Sequence, residues 1–108
     1  MALRAHLNQH IIDVVHIYKK DLLRAGIMPK QLIVFGSQTT GKAKPWSDID
    51  VCVVSDDFGK DRFSDRLKLM HIQDRKTLDI EPHPMSPEEL AAPWDPLANE
   101  IRTYGISV

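Results

Sequence analysis

Gly36-Ser37, ten further residues, and then Asp48-Ile49-Asp50 form the pattern in this chain best suited to chemistry. A glycine lets backbone amides approach an anion closely, and Ser37 adds a hydroxyl donor at the same bend, so this corner is suited to phosphate oxygens. Asp48 and Asp50 stand two residues apart. In an extended chain that spacing turns both carboxylates to one side, where their mutual repulsion calls for a cation. Mg2+ fits, because it takes carboxylate oxygens together with phosphate oxygens and water. Two such ions clamp the attacking and leaving oxygens of an in-line displacement. Gly-Ser alone is an ordinary turn, and Asp-x-Asp alone is an ordinary solvated strand edge. Together, each at the end of an apolar run, they describe a metal-dependent site for a nucleoside triphosphate.

A third acid normally completes such a site. Residues 77–81 read as a short strand that presents Asp79 and Glu81 on one face by the same alternation. Glu81 is favoured because Pro82 fixes the chain just after it, with Asp79 as the competitor. Lys42 and Lys44 could touch phosphates, although loop lysines are normally solvated. His83 could contact substrate, the alternative being a solvent-facing loop position. Trp46 could stack on a base, but packing under its loop is the plainer expectation, and Trp94 is expected against the last helices or a partner. His6 and His10 are four apart on a helix but lack a third ligand.

These side chains need elements to position them. Leu3, Leu7, Ile11, Val14, Val15, Tyr18, Leu22 and Leu23 recur at helical steps, with Gly26 and Pro29 ending the run. Residues 32–35 predict a buried strand, 37–47 a turn and loop, and 48–55 a second strand. After a polar connection, Phe63, Leu67, Met70 and Ile72 mark a second helix. Residues 78–81 are expected to form a short third strand ended by Pro82 and Pro84. Ser86-Pro87-Glu88-Glu89 carries the signature of a capping box, and Asp95-Pro96 repeats the cap-then-proline signal. Leu97, Ile101 and Tyr104 then form a stripe that Gly105 stops, and 106–108 add a last extended piece. The order predicts an α/β (α+β) fold with a small mixed sheet covered by helices, in one domain spanning 1–108.

Composition narrows the field. Net charge is −1, with acids and bases interspersed, so the basic field of a sequence-independent nucleic-acid binder is missing. The single cysteine, Cys52, falls inside an apolar strand run, which suits a reducing compartment and a buried thiol. No membrane span or signal peptide is legible, and a cytoplasmic location is the default expectation. A chain this short has little surface for choosing a base or an acceptor, which leaves room for a homo-oligomer or another partner.

At Gly36, Ser37, Asp48 and Asp50 the chain resembles the minimal nucleotidyltransferases of the DNA polymerase beta superfamily, whose signature is Gly-Ser, about ten residues, then Asp-x-Asp. Ile80-Glu81-Pro82-His83-Pro84 is similar to a segment of small prokaryotic members, which supports Glu81 as the third metal-binding acid. The resemblance implies a polymerase-beta-like nucleotidyltransferase fold and transfer of a nucleoside monophosphate from an NTP, ATP first, to a hydroxyl. It also implies Mg2+, two ions in the full site, held by Asp48, Asp50 and Glu81, with Gly36 and Ser37 on the nucleotide. Small members of the family are often paired with a helical HEPN-type partner in toxin–antitoxin modules and sometimes add AMP to its tyrosine. Gln38-Thr39-Thr40 departs from the pattern of relatives, which often carry Arg or Tyr, Ala and Arg there. A non-catalytic nucleotide- or partner-binding module on the same fold is the competing expectation.

Overall fold

The computed structural model describes residues 7–108; Leu3 and His6, part of the expected first helix and histidine pair, lie outside them. The first helix, α1 (Gln9–Arg24), starts where the Asn8 side chain accepts the His10 N–H, and buries Ile11, Val14, Val15, Tyr18 and Leu22. Its end is closed by Gly26 at φ 84°. There the Ile27 N–H donates to Leu22 O at 3.0 Å and the Gly26 N–H to Leu23 O at 3.1 Å, a left-handed closure that suits glycine.

Then follow β1 (Gln31–Phe35), α2 (Ser37–Thr40), β2 (Ile49–Val54), α3 (Arg62–Ile72), β3 (Ile80–Met85), α4 (Pro87–Ala91), α5 (Pro96–Tyr104) and β4 (Ile106–Ser107). The four strands form one mixed sheet in the order β3-β2-β1-β4. β1 runs antiparallel to β2 and β4, while β2 and β3 are parallel, joined by the crossover helix α3 that parallel strands require.

Helices cover both faces, so the central strand β2 is almost wholly apolar. Ile49, Val51 and Val53 join Val34 and Ile80 in a core with Tyr18, Leu22 and Leu69. Cys52 and Val54 pack on the other side with Phe35, Met85, Ala98 and Ile101. The Tyr18 hydroxyl donates to Leu69 O at 3.3 Å, tying α1 to α3, and burial pushes the phenol above its ordinary range. Burial likewise pushes the Cys52 thiol up to about 12.

Several expectations need correction. The third strand does not stop at Pro82 but runs through Pro82 and Pro84 to Met85. β3 is an edge strand, and the Ser55 N–H donating to Met85 O shows which of its residues face β2. By alternation Glu81 and His83 also bond toward β2, whereas the two prolines turn their nitrogens to the open edge, where no donor is needed. Residues 37–40, expected as loop, form the short helix α2. Along α3 the buried residue is Leu69, while Phe63 is 73% exposed. Apolar residues surround this helix, and the sheet selects the stripe of Leu69 and Ile72 over that of Phe63, Leu67 and Met70. In α5 Ala98 and Ile101 are buried and Tyr104 is exposed; Trp46 is exposed rather than packed under its loop, and Trp94 is exposed rather than set against the last helices, which leaves the partner alternative for it. Leu23 also faces outward.

The capping box forms as its sequence predicts: Ser86 Oγ accepts the Glu89 N–H, and the Glu89 carboxylate accepts the Ser86 N–H. Burial pushes the Glu89 carboxyl upward, but the Ser86 N–H and the Arg62 guanidinium outweigh it and hold the group below the usual carboxylate range. Asp95 caps α5 by accepting the N–H groups of Leu97 and Ala98.

Candidate active site

Gly36 leaves β1 with φ 75° and ψ −143°, a conformation that side-chain-bearing residues avoid. Its missing side chain matters for space as well: a Cβ there would lie 2.5 Å from Asp50 Oδ2. The cause is register. Phe35 pairs with Asp50 across β1 and β2, so the bend after Phe35 crosses directly over the Asp50 carboxylate. Residues 38–40 hold this bend. Gly36 O accepts from the Thr39 N–H, Thr39 Oγ1 and Thr40 Oγ1, and Gln38 Nε2 donates to Asp48 O at 3.4 Å. The departure of these residues from the usual pattern thus coincides with work inside the protein.

Asp50 pairs with Glu81 in the parallel register of β2 and β3, and Cys52 pairs with His83. Two-residue alternation puts Asp50, Glu81 and His83 on one face. Both Glu81 and His83 precede prolines, which confines them to extended backbone and keeps them on that face. His83 Nε2 lies 3.1 Å from Asp50 Oδ1 and 4.0 Å from Glu81 Oε1. The Phe35 ring meets the imidazole edge-on, with centroids 5.0 Å apart and planes at 64°. Opposite it, Arg66 from α3 donates to Glu81 Oε1 at 2.9 Å.

Among the described residues, Asp50, Glu81 and His83 form a group whose ligand atoms all lie within 4.8 Å of one another. Two carboxylates and an imidazole so close together suit a divalent cation with bonds of about 2.0–2.3 Å. Asp48, expected to share the site with Asp50, stands outside that group. It precedes β2, where the pleat does not yet constrain it, and its side chain is exposed. It borders a recess of about 300 Å³ with Arg66, Glu81 and Pro82, so Glu81 belongs both to this recess and to the Asp50 group. Asp79 is not on the strand at all: it ends the turn before β3, and its carbonyl accepts the Ile49 N–H at 2.8 Å.

Nothing in the sequence pattern singles out Arg66, and the prolines on either side of His83 suggest a loop where the structure has strand. The signal for His83 is the alternation Glu-Pro-His-Pro, which sets Glu81 and His83 on one face once the strand runs through its prolines. No spacing rule links Arg66 to Glu81, because the contact depends on how α3 lies across the sheet edge. Lys42, Lys44 and His10 are exposed, as the plainer expectations had it. A second recess, of about 290 Å³, is lined by Arg62, Phe63, Arg66, His83, Pro84 and Leu97.

No curated protein matches the sequence. A solved structure described as a crystal structure of the toxin-antitoxin with AMP-PNP superposes with a TM-score of 0.52 at 22% identity, covering 88% of this chain and 69% of that one. At that identity the likeness speaks for the fold. The sequence itself carries more, since residues 15–95, from the middle of α1 to the cap of α5, match the nucleotidyltransferase domain. With Gly36-Ser37 and Asp48-Ile49-Asp50 inside that span, the chain belongs to the nucleotidyltransferase domain family of the DNA polymerase beta superfamily and is a nucleotidyltransferase.

Proposed function

We propose that this nucleotidyltransferase moves AMP from ATP onto a hydroxyl of a protein partner, a helical HEPN-type toxin that it neutralises. The observation that carries the chemistry is the convergence of Asp50, Glu81 and His83 beneath the Gly36 bend, with Asp48 flanking Glu81. In this reading Asp48, Asp50 and Glu81 hold divalent cations, Mg2+ by expectation. Bound there, such ions would neutralise triphosphate charge and polarise the reacting phosphorus.

The protein's own groups would do the rest. The Gly36 amide and the Ser37 hydroxyl donate to the β- and γ-phosphate oxygens, and Arg66, half exposed beside Glu81, adds a guanidinium to the same charge. The acceptor oxygen attacks the α-phosphorus. A new O–P bond forms as the bond to the bridging α–β oxygen breaks, the acceptor proton passes to a carboxylate oxygen of the cluster, and pyrophosphate leaves. A protein acceptor is favoured by two observations. The similar solved structure is a toxin–antitoxin with AMP-PNP. Exposed Phe63, Leu67 and Met70 also leave an apolar stripe on α3 beside Arg66, next to the recess bordered by His83.

Incubation with the partner, Mg2+ and ATP labelled at either the α- or the γ-phosphate tests the proposal. The α-label is expected on the partner and the γ-label in pyrophosphate. Asp48→Asn with Asp50→Asn should abolish transfer while the circular dichroism spectrum stays unchanged. Full transfer by that double variant would refute the roles of both residues. A tight complex without label would favour a purely partner-binding module.

A further inference from the structure

Resting on that reading of the site, we infer that His83 is a direct metal ligand beside Asp50 and Glu81, and that its nitrogen shifts the site's preference from Mg2+ toward Mn2+. A histidine that only orients a carboxylate aims one nitrogen at one oxygen. His83 Nε2 lies within hydrogen-bond distance of Asp50 Oδ1, at 3.1 Å, and has Glu81 Oε1, which also accepts from Arg66, at 4.0 Å, so two carboxylate oxygens stand near one nitrogen. Neighbouring corners of a coordination shell with bonds near 2.1 Å lie roughly 3 to 3.5 Å apart, so the three atoms need only small shifts to share an ion.

The surroundings favour the same role. Pro82 and Pro84 restrict the backbone on both sides of His83, and the edge-on Phe35 ring holds the imidazole plane. The opposite position on β2 is Cys52, small and fully buried, so nothing bulky intervenes between His83 and Asp50. His83 is only 18% exposed, which makes it a pre-placed donor rather than a mobile surface histidine. Donor chemistry sets the consequence. Oxygen-only sets suit Mg2+, whereas imidazole nitrogen favours transition-series cations, among which Mn2+ also accepts carboxylates.

The test uses the full chain labelled with nitrogen-15 only at histidine, so that nucleotide nitrogens cannot interfere, and loaded with Mn2+ in the presence of AMP-PNP. Pulsed electron paramagnetic resonance should show nitrogen-15 coupling to Mn2+ in the wild-type protein and lose it in His83→Asn. Titration calorimetry should show that variant binding Mn2+ about tenfold more weakly, with Mg2+ affinity changed much less. Mn2+ bound with no histidine coupling would overturn the inference and leave the carboxylate site standing. No Mn2+ uptake, or uptake undiminished in Asp50→Asn, would overturn both.

Discussion

Replacing Gly36 by alanine separates two demands that the bend makes on its residue. The first is conformational: holding a side-chain-bearing residue at φ 75° and ψ −143° costs about 1–3 kcal/mol, a loss of roughly 4–12 °C in Tm for a domain of this size. The second is spatial, because the new methyl would stand 2.5 Å from Asp50 Oδ2, inside any van der Waals contact. Either β1 and β2 move apart or the carboxylate swings away, and the side chain is the softer element. Asp50 would then leave His83 and Glu81, and cation affinity should fall at least about tenfold, or about 1.4 kcal/mol. Gly41→Ala is the control, since Gly41 has φ 77° with nothing within 4 Å of its would-be Cβ. It should lose about 1–2 kcal/mol of stability and keep its cation affinity. Urea denaturation and Mn2+ titration of both variants decide the matter. Equal cation affinity in Gly36→Ala and wild type would refute the reasoning, for it would mean that Asp50 need not stand where the Gly36 bend crosses it.

Leu69→Ala should cost about 2–5 kcal/mol by opening a cavity between α1, α3 and the sheet, whereas Phe63→Ala on the same helix should leave the urea midpoint almost unchanged because that ring is 73% exposed; comparable losses would reverse the assignment of the helix faces. Cys52 should resist a thiol reagent at pH 8 until the chain unfolds, since burial pushes its pKa up to about 12. A raised pKa means that the stability linked to the protonated thiol is complete below the unfolded value near 8.5 and drains away as pH climbs toward 12, so Cys52→Ala should flatten alkaline unfolding in that window.

How far the sequence could be read depended on where local rules governed. Ser86 and Glu89 formed their box, Asp95 capped α5, and Gly26 closed α1, because caps and turns depend on a few neighbouring residues. The Gly36-Ser37 bend and the strand after Asp48 formed where the spacing put them for the same reason: a bend and a strand start are local. Sheet position was not legible, and it decided the rest. Knowing that β3 lies at an edge converts two prolines from strand breakers into tolerated edge residues. The strand then reaches Met85 and brings His83 beside Asp50, while Asp79 is left in the preceding turn. Likewise, α3 offered two apolar stripes, and only packing against α1 and the sheet could choose between them. Arg66 followed from that choice: three residues before Leu69, it flanks the sheet-facing stripe and reaches Glu81 at the sheet edge.

Glu81-Pro82-His83-Pro84 shows how so small a chain keeps two polar side chains both ordered and accessible at a sheet edge. In an interior strand two prolines would remove ladder bonds, but on β3 they occupy the side with no neighbour and discourage another strand from adding there. The same rings restrict Glu81 and His83 to extended backbone, so part of the entropy of ordering these two residues is removed before the chain folds. Among the described residues no strand covers this edge, and two recesses open beside it, one bordered by Asp48, Glu81 and Pro82 and the other by His83 and Pro84, with Arg66 lining both. A nucleotide held under the Gly36 bend would have its reacting end toward Asp50 and Glu81, and an acceptor would reach it over the β3 edge past Arg66. That approach suits a side chain presented by another protein better than a small molecule, which would gain little grip from so open a margin.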